Sequence, residues 1–575
     1  MGGNGEQVEV DRIWTSLGPW GRYQIKQYIS YCLICISWVI HQLTIVFIGY
    51  RPNFHCKAGL NDSLIANKTG AIFEYGECKV ERYENTSTGM VKTTSECQHG
   101  WTYDIPTDQS FVSEWDFVCE KEELAEMTQL LLFVGMIIGT CFFPTMSDRF
   151  GRKPVMVFSH ICLFAIVLAT SFSPNYTTFV VLRILTGAVT QGALSGTTLA
   201  SETFPKECRH LTEVFALVVW TSSICIMSPI AYALRNVSWR YLQITFALMS
   251  AWSLLQWWFL DESLRWLIAN GKMDQARKII RKACRYNRKD YHTVLKDSGL
   301  DEGGDEHVRL SKDGGALQLD AIAAPTPIPD VFVEKYTICD MFKNKMIRNV
   351  SFIIWYTWIV DSLVYYGLYM ISSDLYGDRY INFFLSALIE YPASVFEYFA
   401  LVKIGRKWTC VICHSVAAIA LIVATAFRYS ADGHEGMMVA GTAFTLIGKM
   451  GITGAFSSAF VVTPELYPTN LRNTGLGAAS LMGKIGAMIA PFSRNASHKI
   501  RWLPGAVYAV LCIFVVFLFA FVPETNGVEL PQTVDELAAW YRVNKFELKM
   551  GKNRNAKKIA QQKLRQNSAT YDDSL

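Results

Sequence analysis

Charge is scarce in this 575-residue chain. Asp, Glu, Lys and Arg make up 18% of it, whereas soluble domains carry about 25%. With 51% hydrophobic residues, that deficit excludes an ordinary soluble globular protein. Other absences narrow the class further. No phosphate-binding loop points to an ATP-driven pump, and no His-Glu-His, Ser-His-Asp or Cys-rich constellation points to a membrane enzyme. The expectation is a protein that is not an enzyme, with no metal, no cofactor and no nucleic-acid partner. Residues 1–27 lack a short apolar core followed by a small-residue cleavage site, so they read as a cytosolic N-terminus and not as a signal peptide.

What the chain has instead is long apolar runs, each near the roughly 20 residues that a membrane helix needs. Twelve are expected. The first six are Tyr28–Gly49, Leu124–Met146, Val155–Phe172, Phe179–Ala200, Val214–Ala233 and Tyr241–Leu260. The second six are Ile347–Ile371, Ile381–Ile404, Trp408–Ala426, Met437–Thr463, Thr474–Ala490 and Pro504–Phe521. The fold class is therefore an all-α membrane protein. It divides into an N-terminal six-helix bundle (28–260), a linker (261–346), a C-terminal six-helix bundle (347–522) and a tail (523–575). Seven spans, as in a receptor, do not fit.

Short basic loops at Arg149, Arg152 and Lys153, at Lys206 and Arg209, and at Lys403, Arg406 and Lys407 fall on one side, with both termini. The positive-inside rule makes that side cytoplasmic. The segment 50–123 then lies outside. From Arg51 to Glu123 it holds thirteen acidic and seven basic residues. It also carries four of the fifteen cysteines, Cys56, Cys78, Cys97 and Cys119, and an even number outside suggests two disulfides in one of three connectivities. Sequons at Asn61, Asn67 and Asn85 are expected glycosylation sites. Within the linker, MDQARKIIRKACRYN has helical spacing, and the Gly- and Pro-rich stretch after it reads as disordered. The basic tail suits anionic lipid headgroups, and its last three residues, Asp573-Ser574-Leu575, suit a peptide-binding scaffold protein.

The two halves echo one another. SDRFGRK (Ser147–Lys153) follows the second span and KIGRK (Lys403–Lys407) follows the eighth. Internal repeats with a site between them mark secondary transporters. Asp148, Arg149 and Arg152 of the first loop, with Arg183, Glu202, Glu262, Arg265 and Arg406, are read as a cytoplasmic gate whose ion pairs break as the inner side opens.

At these residues the chain resembles a known group. SDRFGRK is similar to the signature loop of the major facilitator superfamily. DESLRWLIANGK, PELYPTNLRNTGLG and PETNGVELPQT resemble its signatures after spans six, ten and twelve. Together with the Cys- and sequon-bearing outer segment, they resemble the organic cation/anion/carnitine transporter family, solute carrier family 22. GDRYINFFLSALIEYPA and LIGKMGITGAFSSAF are most similar to its carnitine/organic cation branch. The resemblance implies a twelve-transmembrane-helix major facilitator fold. It also implies a polyspecific plasma-membrane transporter of small organic cations or zwitterions working by alternating access.

Charges inside spans are costly, at least ~2.5–3.5 kcal/mol each, and by default face the bundle interior. The embedded ones are Asp361, Glu390, Glu397, Lys449 and Lys484. His41 reads as a hydrogen-bonded neutral imidazole. Trp358, Asp361, Tyr365 and Tyr369 are spaced three, four and four apart, which stacks them on one helical face. Rings beside a carboxylate suit an ammonium head. The resemblance implies that this face and Glu390 border the substrate path, while the role of Glu397 stays open. It also implies that Lys484 stands where anion- and carnitine-handling relatives carry a basic residue and cation-selective ones an aspartate. Lys484 is thus expected either to meet a substrate carboxylate or to pair with Glu390 or Asp361. An organic anion exchanger using Lys484 is the alternative function. Glu465 matches a glutamate that the carnitine branch links to sodium, so a sodium co-ion is a further expectation.

Overall fold

The computed structural model describes residues 10–60, 62, 71–86, 89–205, 208–297, 340–431, 433–468, 471–526 and 537. Asn61, Asn67, the Gly/Pro-rich linker and the C-terminal scaffold motif lie outside them.

Among the described residues, twelve helical spans form where the apolar runs lie. In the first half they are Arg22–Ile48, Glu122–Phe150, Arg152–Thr170, Tyr176–Thr190 continued by Leu194–Glu202, Arg209–Ala233, and Trp239–Met249 continued by Gln256–Phe259. In the second half they are Lys345–Met370, Arg379–Leu388 continued by Glu390–Lys403, Arg406–Tyr429, Glu435–Glu465, Arg472–Ile489 continued by Phe492–Lys499, and Leu503–Phe519. Polar side chains start several of them. Asn175, Asn344 and Asp378 accept hydrogen bonds from the first free backbone N–H groups of spans four, seven and eight. Small residues let neighbouring helices approach closely. A Cβ on Gly135 or Gly139 would lie about 2 Å from a carbonyl oxygen of span four, so only glycine permits spans two and four to touch.

The eleventh span departs from the expectation that it ends at Ala490. Pro491 interrupts the hydrogen-bond ladder, but the chain resumes helix as Phe492–Lys499. This polar extension places Arg494 and Lys499 at the end of the bundle that bears the segment between spans one and two. We refer to that as the loop end, and to the opposite end, with SDRFGRK, as the motif end.

The segment itself holds two small antiparallel sheets. One pairs β1 (Phe54–Cys56) with β5 (Trp101–Tyr103); the other orders β2 (Ile72–Tyr75), β3 (Lys79–Thr86) and β4 (Gly89–Glu96) as a meander. The disulfides are Cys56–Cys97 and Cys78–Cys119, one of the three connectivities open from sequence. They interleave along the chain and tie the sheets to the entry of span two. Asn85 lies on β3, opposite Met90.

At the motif end a helix, Met273–Asn287, matches the pattern in MDQARKIIRKACRYN. Its Ile280 and Ala283 bury against Ile13 and Trp14 of a preceding N-terminal helix, Val10–Leu17. Lys282 pairs with Asp261 at 2.7 Å, and Tyr23 and Gln27 of the first span donate to the same carboxylate.

Candidate functional site: a cation cage between the two halves

Near the middle of the bundle, spans five, seven, eight and ten converge on one carboxylate. Glu390 opens the second piece of span eight, where the helix steps after Leu388, and it is 2% exposed. Tyr369 Oη donates to its Oε1 at 2.7 Å, and Thr221 Oγ1 of span five donates to its Oε2 at 3.2 Å. Tyr365 lies one turn before Tyr369, and its hydroxyl accepts from Trp220 Nε1 at 2.9 Å. Two rings and a carboxylate thus enclose a small volume, with the N-terminal half touching it through Trp220 and Thr221.

The occupant of that volume is an ammonium from the chain itself. Lys449 Nζ sits 3.2 Å from the Tyr365 ring centroid and 3.6 Å from that of Tyr369. It is also 3.4 Å from Glu390 Oε1 and donates to the Tyr365 carbonyl at 3.3 Å. Each ring face attracts a cation by roughly 0.5–2 kcal/mol, most strongly when water is excluded. A buried carboxylate also needs a positive partner. The sequence marked Lys449 as an embedded charge but assigned it no particular partner, and it missed Trp220 altogether.

Asp361 and Trp358 do not face the cage. Asp361 Oδ1 lies 2.9 Å from His414 Nε2 of span nine, and both side chains are fully buried. His414 Nδ1 is 2.8 Å from the Cys410 carbonyl, so it donates there. One further proton is then shared between Nε2 and Asp361, leaving the pair neutral overall. That neutrality lets the carboxylate sit among apolar helices. The reason for the misplacement is angular. At ~100° per residue, Asp361 is turned ~40° from Tyr365 and ~60° from Trp358, enough to meet the neighbouring helix. Trp358 packs on Phe456 and Phe460 and donates to Thr463 Oγ1 at 2.9 Å; Phe456 also touches Tyr365, linking it to the cage wall.

Lys484 is half-buried and donates to Ser480 Oγ, one turn earlier, at 3.3 Å. Its two expected carboxylate partners are engaged elsewhere, Asp361 by His414 and Glu390 by Lys449. Glu397 is buried in span eight, two turns from Glu390. His41 bonds Ser250 Oγ at 2.6 Å, as its reading anticipated.

Arg183 is a correction. It belongs to no cluster at the motif end. Its guanidinium is buried inside the N-terminal half, donating to Gln129 Oε1 at 2.6 Å and to the His41 carbonyl at 3.3 Å. Span four runs from loop end to motif end, so a residue two turns into it lies far from SDRFGRK.

The other charged residues at the motif end form two matching units. In the first half, Arg152 pairs with Asp148 (2.7 Å) and Glu202 (3.7 Å), while Glu262 accepts from the backbone N–H of Arg152, Lys153 and Ser263. In the second half, Arg406 pairs with Glu465 (3.4 Å), and Glu524 accepts from its backbone N–H at 2.8 Å. Each arginine also donates to the carbonyl five residues back, Ser147 or Leu401. Glu465 further accepts from Thr525. Burial pushes the Glu262 and Glu524 carboxyls up, against the downward pull of these N–H donors and of the adjacent guanidinium. Arg265 reaches Asp11 of the N-terminal helix at 2.5 Å, and Arg149 lies over the Phe150 ring. The internal repeat that the two loops suggest in sequence is therefore clear in three dimensions.

Gly151 and Gly405 open these units with φ of 111° and 113°, and a Cβ on either would strike the carboxylate of Glu262 or Glu524. Gly151→Ala and Gly405→Ala are each expected to cost about 1–3 kcal/mol of backbone strain plus the displaced acceptor. Gly271 also has positive φ but open space around it. Thermal unfolding in detergent should therefore rank Gly271→Ala as the mildest of the three, and equal shifts would show that the carboxylate contact does not matter.

Among the described residues, the side-chain contacts between the two halves run from the cage to the loop end. Gln42 donates to Tyr366, and Phe47 packs on Tyr380 and Phe383. Arg494 bonds the Gly49 carbonyl at 2.8 Å, and Lys499 pairs with Glu122 at 2.6 Å. Among the described residues, the ion pairs named above at the motif end each stay within one half. The geometry is that of a carrier closed at its loop end.

Two six-helix halves with a buried polar site at their seam define a membrane carrier. The description "Sugar (and other) transporter" belongs to a family model that matches residues 87–536, and the chain belongs to that family. It is a transporter and not an enzyme. The major facilitator fold is shared with the E. coli xylose transporter XylE in a partially occluded inward open conformation (TM-score 0.56, 14% identity, 88% of this chain and 100% of that one). Among curated relatives, the chain is 28% identical to mouse organic anion transporter 3 (94% of this chain, 96% of the relative). It is 28% identical to the Drosophila melanogaster organic cation transporter protein (92% and 94%). It is 27% identical to mouse organic cation/carnitine transporter 2 (92% and 94%). These relatives support placement in solute carrier family 22 and, at near-equal identity, favour none of its branches.

Proposed function

We propose that the protein moves small organic cations or carnitine-like zwitterions across the plasma membrane by alternating access. In this reading the motif end and both termini are cytosolic, the disulfide-bridged segment is extracellular, and Asn61, Asn67 and Asn85 are glycosylation sites. The observation that carries it is the cage of Glu390, Tyr365 and Tyr369, which already holds an ammonium at the seam. Any cation that replaces Lys449 there meets the same carboxylate and the same ring faces. Trp358, through Phe456, shapes the wall, while Asp361 stabilises the C-terminal half through His414.

Lys484 supplies the other sign. With Asp361 and Glu390 otherwise engaged, its half-buried ammonium is available to a substrate carboxylate, so a zwitterion can satisfy both ends. The same lysine favours the second reading, an organic anion exchanger. Coupling follows from charge. A monovalent cation gains about 1.4 kcal/mol from ~60 mV, whereas a zwitterion gains nothing from voltage and needs a co-ion such as sodium for concentrative uptake. Glu465 pairs with Arg406 at 3.4 Å, so in this reading a sodium co-ion acts through the cytoplasmic gate and not in the cage. The gate ion pairs of Arg152 and Arg406 rearrange as the motif end closes.

The test is a panel of tetraethylammonium, carnitine and p-aminohippurate uptake in one cell line, with and without sodium. Uptake of the amine, of carnitine or of both supports the proposal. Strong p-aminohippurate uptake with neither of the others overturns it in favour of the anion exchanger.

A further inference from the structure

The cation cage is filled by a side chain whose charge and contacts are those of a substrate. We infer that Lys449 is a tethered counter-cation: its ammonium replaces the substrate in the cage while the empty carrier closes its loop end and returns. The inference rests on the cation-site reading given above and adds the event that completes its cycle.

The contact set is the first support. Lys449 Nζ lies against a carboxylate and two ring faces, the groups that attract a substrate ammonium, and it also donates to one carbonyl. Two cations cannot share that space, so substrate and Lys449 exclude one another. The place of the cage is the second support. Trp220 and Thr221 come from the N-terminal half and bond Tyr365 and Glu390 directly. Closing the loop end therefore buries Glu390, and a buried carboxylate without a positive partner is strongly unfavourable. A carrier that has released its substrate needs another cation before its halves can meet at this seam. Lys449, 1% exposed, provides one from span ten. Its flexible four-carbon stem allows the head to leave when substrate enters.

Exchange and net transport then place different demands on Lys449. In exchange, substrate fills the cage in both directions. In net uptake, the cage must return empty, and the return uses the lysine. The experiment measures radiolabelled tetraethylammonium uptake into substrate-free cells and into cells preloaded with unlabelled tetraethylammonium, each normalised to protein at the cell surface. Lys449→Gln is expected to raise the ratio of exchange to net uptake at least fivefold over wild type, while Lys449→Arg keeps the wild-type ratio. The double variant Glu390→Gln with Lys449→Gln removes both charges; its ratio should return to within about twofold of wild type even though its apparent affinity falls.

An unchanged ratio in Lys449→Gln, or a loss of both modes in equal proportion, overturns the inference while leaving the cation reading in place. Should Lys449→Gln fail to reach the surface, a raised ratio in Lys449→Arg or in the double variant overturns it equally. If the wild-type protein carries no tetraethylammonium in either mode, the cation reading falls and this inference falls with it, so the two failures are separable.

Discussion

Glu390→Gln is expected to lower the uptake efficiency of a permanent cation such as tetraethylammonium ten- to hundredfold at equal surface protein. The carboxylate is buried, bonded by Tyr369 and Thr221, and faces the position where an ammonium sits. Interactions of a charged group in such surroundings are worth about 1.5–3 kcal/mol, and each 1.4 kcal/mol is a factor of ten. The substitution also leaves Lys449 without its counter-charge, which adds to the loss. Tyr369→Phe provides the scale. It keeps the ring and removes one hydrogen bond, so a fall of only a few-fold is expected. If Glu390→Gln and Tyr369→Phe reduce uptake alike, the carboxylate is not where the cation is held.

Lys484→Asp has the second large effect, and it is one of selectivity. Two unit charges about 5 Å apart at an effective dielectric near 20 interact by about 3 kcal/mol, and reversing one of them changes attraction into repulsion. Carnitine, with a carboxylate opposite its ammonium, should lose uptake by tenfold or more. Tetraethylammonium, which has no carboxylate, should be nearly unaffected or improved. Equal loss of both would assign Lys484 to the packing of span eleven and not to substrate. An effect on selectivity is expected because the lysine is half-buried and donates to Ser480 Oγ at 3.3 Å, while Asp361 and Glu390 meet other partners.

Much of the fold was legible because membrane solvation is a blunt constraint. A scarcity of charge and a recurrence of apolar runs place the spans, and the matched loops SDRFGRK and KIGRK announce the repeat. The cysteines were legible in number but not in pairing, since connectivity depends on how β1 and β5 bring distant residues together. At the site, the resemblance and its embedded charge singled out Glu390, while helical spacing grouped Tyr365 with Tyr369, which the structure brings together. It failed for Asp361, because a rotation of some 40° chooses between the seam and span nine, and spacing does not resolve that. His414 and Lys449 lie on helices far along the chain, and nothing local says which carboxylate each will meet. Arg494 was missed for a different reason. The eleventh apolar run ends at Ala490, and only tertiary packing makes the polar residues after Pro491 a helix that reaches Gly49 across the seam.

Closure of the loop end in one half of the cycle is the feature on which the transport reading depends, and a reversible lock tests it most directly. Glu122 and Lys499 meet there at 2.6 Å, one from each half. Both are replaced by cysteine, bridged with a short crosslinker that a reductant cleaves, and compared with the two single-cysteine variants. We expect bridging to stop tetraethylammonium and carnitine uptake in the double variant alone, and the reductant to restore it. Undiminished uptake through the bridged protein would contradict alternating access at this seam.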